Sequence, residues 1–206
     1  DHHIGEARRP AAYAIVNPNR LDENSPHRQL AAVGVSFMLA AAVNRHLRTS
    51  GFFATRAEPD LRRWLDLVAL GTVCDVVPLT GVNRALVAQG LKIMASRGNL
   101  GMRTVFDLAG IDEKPGVYHC GFVVGPRINA GGRVGRSDLG VRLLTTEDAA
   151  EALSLARELE EALDDPPRPV GFLDEQLGVP PEILRQPIVA PQQLAERDDR
   201  RQWVVQ

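Results

Sequence analysis

Two histidines stand beside a carboxylate at the start of the sequence, in Asp1-His2-His3. Imidazole nitrogens and a carboxylate oxygen make a mixed ligand set that suits manganese and similar divalent ions. The tripeptide alone favours a plainer interpretation, which is a flexible terminus or adventitious binding of copper or nickel. A metal site at this position therefore needs further ligands from other parts of the chain.

Asp75 is the second residue that could bind a metal, because it lies among apolar residues in Val73-Cys74-Asp75-Val76-Val77. An ionised carboxylate in apolar surroundings is costly unless it is paired, hydrogen-bonded or bound to a metal. The alternative is a structural aspartate that caps a helix or pairs with a cation. The residues alone leave both interpretations open.

A third candidate, for binding phosphate, is the segment Gly125–Arg133, with the sequence Gly-Pro-Arg-Ile-Asn-Ala-Gly-Gly-Arg. Glycines let a backbone approach an anion closely, and Arg and Asn side chains donate hydrogen bonds to phosphate oxygens. From Arg127 to Arg142 four arginines stand against one acid, Asp138, so the local charge is +3. The alternative is a solvated basic turn, but the flanking glycines favour a phosphate cradle.

The composition is that of an ordinary soluble globular protein, with 206 residues, 44% hydrophobic and 24% charged. The net charge of −2 gives no general sign of nucleic-acid binding, so such a surface has to be local. Two cysteines, Cys74 and Cys120, are too few for a disulfide framework or a thiolate zinc site, and they suit a reducing cytoplasm. The apolar stretch Leu30–Val43 is too short to span a bilayer.

These candidates have to be positioned by one strand and several helices. Residues Ala12–Val16 predict a short buried strand that is closed by a turn at Asn17–Arg20. Apolar residues on nearly every side predict a largely buried helix from Gln29 to about Leu47. Helical patterns also occur in segments 61–70, 82–98, 102–108 and 145–163, the last with a hydroxyl cap at its start. Trp64 and Trp203 are isolated, so no aromatic platform for stacking bases is predicted.

The order of the motifs resembles the second half of the catalytic domain of RecJ-type exonucleases, which belong to the DHH phosphoesterase family. The resemblance extends from residue 1 to about residue 163. It rests on these motifs: Asp1-His2-His3, Val16-Asn17-Pro18, Leu30–Phe37, Gly71–Leu79 with Asn83-Arg84, and Gly125–Arg133.

The resemblance implies a two-metal phosphodiesterase that uses Mn2+ or Mg2+ to hydrolyse single-stranded DNA from the 5′ end, in DNA repair and recombination. It implies that His2 and Asp75 are metal ligands and that His3 is a catalytic residue, as a ligand or a phosphate contact. It also implies partners such as a single-strand-binding protein or a helicase. The residues that would bind the phosphodiester backbone are Arg127, Asn129, Gly131, Gly132 and Arg133.

The resemblance further implies an α/β fold, in which a parallel sheet carries helices on both faces. Residues 1–145 would be the C-terminal part of the DHH domain, and 146–163 the start of a connecting helix. The resemblance lapses after residue 163, and residues 164–206 hold seven of the 14 prolines without sustained periodicity, which predicts a divergent, poorly ordered tail. The family's early metal-binding aspartates precede the DHH motif and do not occur in this sequence. We therefore expect a helix-rich fragment that is inactive as a nuclease by itself.

Two other functions remain open at this point. One is a different DHH phosphoesterase, such as an oligoribonuclease, a nucleotide phosphatase or a manganese pyrophosphatase. The other is a non-catalytic DHH module that only binds nucleic acid. The stretch Arg127–Arg133 favours the RecJ-type enzyme over the first, and the presence of His2 and Asp75 argues against the second.

Overall fold

The computed structural model describes residues 3–5 and 10–164. Seven α-helices occur in this part of the chain, together with 3-10 turns at Phe52–Ala54 and Leu61–Trp64 and a π-helical turn at His119–Val124. The α-helices are α1 (Ala32–Thr49), α2 (Leu65–Cys74), α3 (Gly81–Met94), α4 (Leu100–Leu108), α5 (Gly125–Arg133), α6 (Leu139–Thr145) and α7 (Ala149–Asp164). The predicted helix-rich character is therefore confirmed.

The predicted strand at Ala12–Val16 is wrong for the described chain, where these residues are irregular. Tyr13 is fully exposed, and Val16 is more than half exposed. A strand needs a neighbour that accepts and donates its backbone hydrogen bonds. No strand occurs among residues 3–5 and 10–164, and the carbonyl of Ile15 accepts a hydrogen bond from the Arg20 guanidinium at 2.9 Å instead.

The turn predicted at Asn17–Arg20 is confirmed. The side chain of Asn17 accepts a hydrogen bond from the backbone N–H of Asn19 at 2.8 Å, which is the geometry of an Asx turn. The backbone N–H of Arg20 donates to the carbonyl of Asn17. The chain thus reverses direction at this turn, which connects the irregular residues 10–16 to the loop that leads to α1.

Helix α1 forms where it was predicted, but its predicted burial is wrong. Only Gly34, Val35 and Asn44 are buried, whereas three apolar residues, Met38, Leu39 and Val43, are about half exposed. Burial of a helix that is apolar on all sides depends on elements that cover each side. In the described part of the chain α1 packs against α2, where Gly71 meets the Val33 side chain, and these neighbours leave Met38, Leu39 and Val43 partly uncovered.

The other helices follow their predicted patterns. The carboxylate of Asp60 accepts the backbone N–H of Arg62 at 3.1 Å and so caps the 3-10 turn that leads into α2. Helices α3, α4 and α7 lie at the segments that showed helical spacing. Helix α7 begins after Asp148, whose carboxylate accepts the N–H of Glu151 at 2.8 Å, so the cap is a carboxylate and not the predicted hydroxyl.

The core is formed by α2 to α7 and the π-helical turn. Its fully buried side chains include Met94, Met102, Phe106, Leu139, Leu143 and Leu159. Helices α2 and α3 touch through their backbones, because the Gly90 Cα faces the carbonyl of Leu65 and the methyl group of Ala69. This contact fixes the direction of α2 and therefore the place where Asp75 follows it. None of the described helices has the length and apolar character needed to cross a membrane.

Candidate phosphate and metal-binding site

The first predicted metal ligand, His2, lies outside the described residues, as does Asp1. His3 is described and exposed. Two residues later the backbone N–H of Gly5 donates to the carbonyl of Asn19 at 3.2 Å, so the start of the described chain is attached to the Asn17–Arg20 turn. The pairing of His2 with Asp75 at one metal stays a prediction.

Asp75 ends α2 as its C-cap residue and is half buried. Its backbone N–H donates to the carbonyl of Gly71 at 3.0 Å. The next residue, Val76, has a φ of +54°, which is a left-handed conformation that β-branched residues rarely adopt. Such strain costs about 1–3 kcal/mol and concentrates at functional sites. The strained turn sets the direction of the chain directly after the predicted ligand.

Replacing Val76 with glycine should stabilise the fold. The Val76 side chain is 88% exposed, so its removal loses little packing, whereas glycine adopts a positive φ without strain. We expect Val76→Gly to raise the free energy of unfolding by about 1 kcal/mol, measured by urea unfolding followed by circular dichroism. Arg97→Gly is the contrasting variant, since Arg97 also has a φ of +54° but pairs with Asp107 at 2.9 Å. If Val76→Gly is less stable than the unmodified chain, the left-handed conformation of Val76 is not strained.

Cys74, the last residue of α2, lies close to Cys120. The thiol of Cys74 donates to the carbonyl of Cys120 at 3.5 Å. Burial, and secondly the negative charge of Asp75, raise the pKa of Cys74. Burial, followed by the proximity of Cys74, raises the pKa of Cys120 to about 12. Both thiols therefore stay protonated at neutral pH, which makes them poor nucleophiles and poor metal ligands.

Asn83 holds the loop that follows Asp75. It is fully buried, and its side-chain amide donates to the carbonyls of Gln29 at 2.7 Å and Pro78 at 3.0 Å. These two bonds attach the 75–80 loop to the segment before α1. The Asn83-Arg84 pair belonged to the motif series in the sequence but had no assigned role, and the structure identifies Asn83 as a residue that positions this loop.

The segment Gly125–Arg133 is a helix and not the glycine-rich cradle or turn that its sequence suggested. Pro126 lies in the first turn of α5, directly after the π-helical turn. Gly125 lies against α2, since a methyl group at Gly125 would be 2.5 Å from the Cys74 sulfur. Glycines weaken a helix by about 1 kcal/mol each, and close packing offsets that cost here. The contact also brings the start of α5 next to the end of α2, where Asp75 lies.

The predicted phosphate-binding residues divide between two sides of α5. On one side, Arg127 is nearly buried and Gly131 is buried. A methyl group added at Gly131 would lie 2.6 Å from the Arg136 carbonyl oxygen. Asn129, Gly132 and Arg133 are exposed. Their spacing of three and four residues places them on one side of the helix. We call these three residues the phosphate face.

The local positive charge is largely neutralised, contrary to the count from the sequence. Arg127 forms a bidentate ion pair with Glu160, in which Nη2 of Arg127 lies 2.8 Å from Oε1 of Glu160. Arg127 also donates a hydrogen bond to the carbonyl of Val123. Arg136 pairs with Glu158, and Arg142 pairs with Glu151 and Asp138. Arg133 has no ion pair within residues 3–5 and 10–164. Of these four arginines, Arg133 is therefore the one that can bind an anion without breaking an ion pair with a described acidic residue.

The described residues do not form a metal site by themselves. No three side chains of the His, Cys, Asp and Glu types come together among residues 3–5 and 10–164. Asp75 offers one carboxylate, and His3 is the described member of the histidine pair. A bound ion would therefore need ligands in addition to these two described residues.

RecJ exonucleases are among the proteins that this chain resembles. The single-stranded-DNA-specific exonucleases RecJ of Dickeya dadantii and Escherichia coli K12 are each 45% identical to this chain over 164 residues, or 78% of the chain. The chain belongs to the RecJ family. It spans 28% of the length of those two RecJ proteins. No protein-family model matches the sequence.

Solved RecJ structures resemble the described fold. RecJ from Thermus thermophilus in complex with Mg2+ matches with a TM-score of 0.54 and 35% identity, over 63% of this chain and 19% of that chain. A RecJ exonuclease bound to manganese matches with a TM-score of 0.53 and 36% identity, over 63% of this chain and 31% of that chain. The RecJ resemblance in the sequence is thus confirmed.

The RecJ-family chain also carries an aromatic pair that the sequence analysis missed. Tyr118 and Phe122 stack with 5.3 Å between ring centroids. The start of this helical segment is held by His119, whose Nδ1 accepts the N–H of Gly116 at 3.0 Å. Nε2 therefore carries the proton and donates to Glu113 at 3.0 Å. The signal was present as a Tyr-x-x-x-Phe spacing, but the segment had not been predicted to be helical.

A separate cleft of about 940 Å3 lies at the other end of α2 in this RecJ-family chain. Trp64, Asp66 and Arg103 are among its lining residues. Burial raises the pKa of Asp66, while its carboxylate accepts the N–H of Leu67 at 2.7 Å. None of the predicted site residues lines this cleft. It is therefore distinct from the phosphate face and Asp75.

Proposed function

We propose that this chain supplies part of the active site of a metal-dependent exonuclease that degrades single-stranded DNA. One observation carries the proposal: the contact of Gly125 with Cys74 brings the helix that bears the phosphate face against the helix that ends at Asp75. Phosphodiester hydrolysis needs a hard-cation ligand and an anion-binding surface close together. Support also comes from the identity to RecJ exonucleases.

The proposed roles combine the positions of the described residues with the resemblance to RecJ, on which the role of His2 rests entirely. Asp75 and His2 are ligands of Mn2+ or Mg2+, the metals named with the solved RecJ structures, and His3 binds the metal or the scissile phosphate. Such ions would activate water and stabilise charge on phosphate. Asn129 and Arg133 donate hydrogen bonds to the DNA backbone, and Gly132 leaves room for it.

Arg127 and Gly131 have a different role in this proposal. Arg127 is engaged with Glu160, and Gly131 allows close packing against residues 136–139. Both keep α5 in place and so orient the phosphate face. Direct contact of either residue with DNA would require α5 and α7 to separate.

The whole-protein features of the proposal go beyond the described chain. We infer that the longer RecJ-family proteins build a parallel sheet with helices on both faces and with the metals at its carboxyl edge. The proposal also includes degradation of the strand from its 5′ end, in the cytoplasm, during DNA repair and recombination. A single-strand-binding protein or a helicase would be the protein partner.

Arg133 provides the first test, through binding of a fluorescein-labelled oligo-dT by anisotropy. We expect Arg133→Ala to raise the Kd about 10-fold, since a charged hydrogen bond is lost. The slope of log K against log salt should fall by about 0.7, the value for one phosphate contact on a single strand. Arg103→Ala is the matched control, because Arg103 is exposed and lines the separate cleft. Equal effects of the two variants would contradict the phosphate face.

Nuclease assays give the second test. We expect the 206-residue chain alone to release no nucleotides from labelled single-stranded DNA in Mn2+, because His2 and Asp75 supply too few ligands to bind the metal tightly. Manganese-dependent release by this chain would refute that expectation. In a longer protein that contains this chain, cleavage of di- and trinucleotides in preference to long single-stranded DNA would instead indicate another DHH phosphoesterase.

A further inference from the structure

The stacked pair Tyr118 and Phe122 lies on the same helical segment as the phosphate face. Its rings are inclined by 23° to each other, and Tyr118 is 50% and Phe122 65% exposed. Two stacked rings in water keep a large apolar surface hydrated, which is unfavourable unless another molecule covers it. The pair is therefore a candidate contact surface.

The register of the helix aligns the rings with the phosphate face. Residues 117–133 continue without a break from the π-helical turn into α5. Phe122, Asn129 and Arg133 are separated by seven and four residues, close to two turns and one turn. All three are exposed, whereas Val124 and Ala130 face the core. The Phe122 ring and the Arg133 guanidinium thus share one side of the helix, about 16 Å apart along its axis, and the Tyr118 ring stacks on Phe122.

A ligand of this surface needs flat rings at one end and an anionic backbone at the other. We propose that Tyr118 and Phe122 form a stacking platform for bases of single-stranded DNA whose phosphates contact Asn129 and Arg133. This inference rests on the proposed function and extends its site. Stacking on aromatic side chains tolerates any base, which suits an enzyme that degrades a strand without regard to sequence. The π-helical turn under the rings fits as well, because such turns are frequent at functional sites.

An apolar helix of a protein partner is the main rival occupant. It would cover the rings but would leave the guanidinium of Arg133 and the amide of Asn129 without a counterpart. The combination of rings with a cation that pairs with none of the described acids therefore favours a nucleic acid.

The test compares two labelled strands of equal length and charge, oligo-dT and an abasic strand, by fluorescence anisotropy. Phe122→Leu keeps an apolar side chain but removes the ring, and Tyr118→Ala removes the other ring. Each should raise the Kd for oligo-dT about 10-fold and leave the weaker binding of the abasic strand unchanged. Matched controls are Phe52→Leu and Tyr13→Ala, at two exposed aromatic residues elsewhere, and they should bind both strands like the unmodified chain.

The outcomes separate this inference from the proposed function. If the ring variants bind oligo-dT normally while Arg133→Ala binds it weakly, the platform is wrong and the phosphate face stands. If oligo-dT does not bind the unmodified chain, or binds all variants alike, both fail. Equal losses for the two strands also overturn stacking. Phe122→Tyr keeps a ring and should bind normally, and a loss in this variant would count against the platform.

Discussion

Gly90→Ala is expected to lower the free energy of unfolding by about 3 kcal/mol, at the upper end of the cost of overpacking a core. A methyl group at this position would overlap the Leu65 carbonyl and lie 2.5 Å from the Ala69 methyl group. Both neighbours belong to helix α2, so neither can move without shifting α2 against α3. Urea unfolding followed by circular dichroism measures the loss.

Gly132→Ala is the matched control, because it lies in a helix but has nothing within 4 Å of the added methyl group. Alanine favours a helix over glycine, so this variant should be more stable by about 0.5–1 kcal/mol. Similar effects of the two substitutions would mean that helix propensity, and not the α2–α3 contact, determines the result. Because Gly132 belongs to the phosphate face, Gly132→Ala should at the same time weaken binding of oligo-dT.

Arg127→Met is expected to destabilise the fold by about 2–3 kcal/mol. The substitution leaves the Glu160 carboxylate and the Val123 carbonyl without their partner. Removing one member of a buried ion pair costs about 3–5 kcal/mol, and the partial exposure of Glu160, at 41%, reduces the effect. The same urea titration applies, with Arg133→Met as control and an expected change within about 0.5 kcal/mol.

Glu160→Gln tests the same pair from the other side. The double variant should be more stable than the sum of the single losses predicts, by about 1 kcal/mol, because the two side chains act together. If Arg127→Met keeps full stability but loses oligo-dT binding as Arg133→Ala does, then Arg127 is a phosphate ligand and its pairing with Glu160 is incidental.

Local spacing predicted most helices, because apolar residues that recur every three or four positions must face one core. It missed α5, since glycine and proline usually interrupt helices. What allows that helix is distant in sequence: Gly125 fits against Cys74, and Gly131 against the Arg136–Leu139 segment. A sequence pattern does not show such contacts before the fold is known.

The same limit explains the misjudged charges and surfaces. Counting arginines between residues 127 and 142 took no account of the acids of α7, which neutralise Arg127 and Arg136. The burial of α1 was inferred from its own composition, although burial depends on neighbours. Asp75 caps the apolar helix α2, and the left-handed conformation of its neighbour Val76 became evident from the backbone alone. The predicted ligand His2 stays a prediction.

The π-helical turn at His119–Val124 amounts to an inserted residue within an otherwise α-helical segment. An inserted residue determines how the side chains before the turn are rotated around the helix axis relative to the side chains after it. Deleting one residue from this turn would restore α-helical pitch and rotate Tyr118 by about 100° around the axis with respect to Arg133. Relatives of this chain that differ by a single residue in this turn would therefore present their rings and their guanidinium to different sides, even if every side chain were kept.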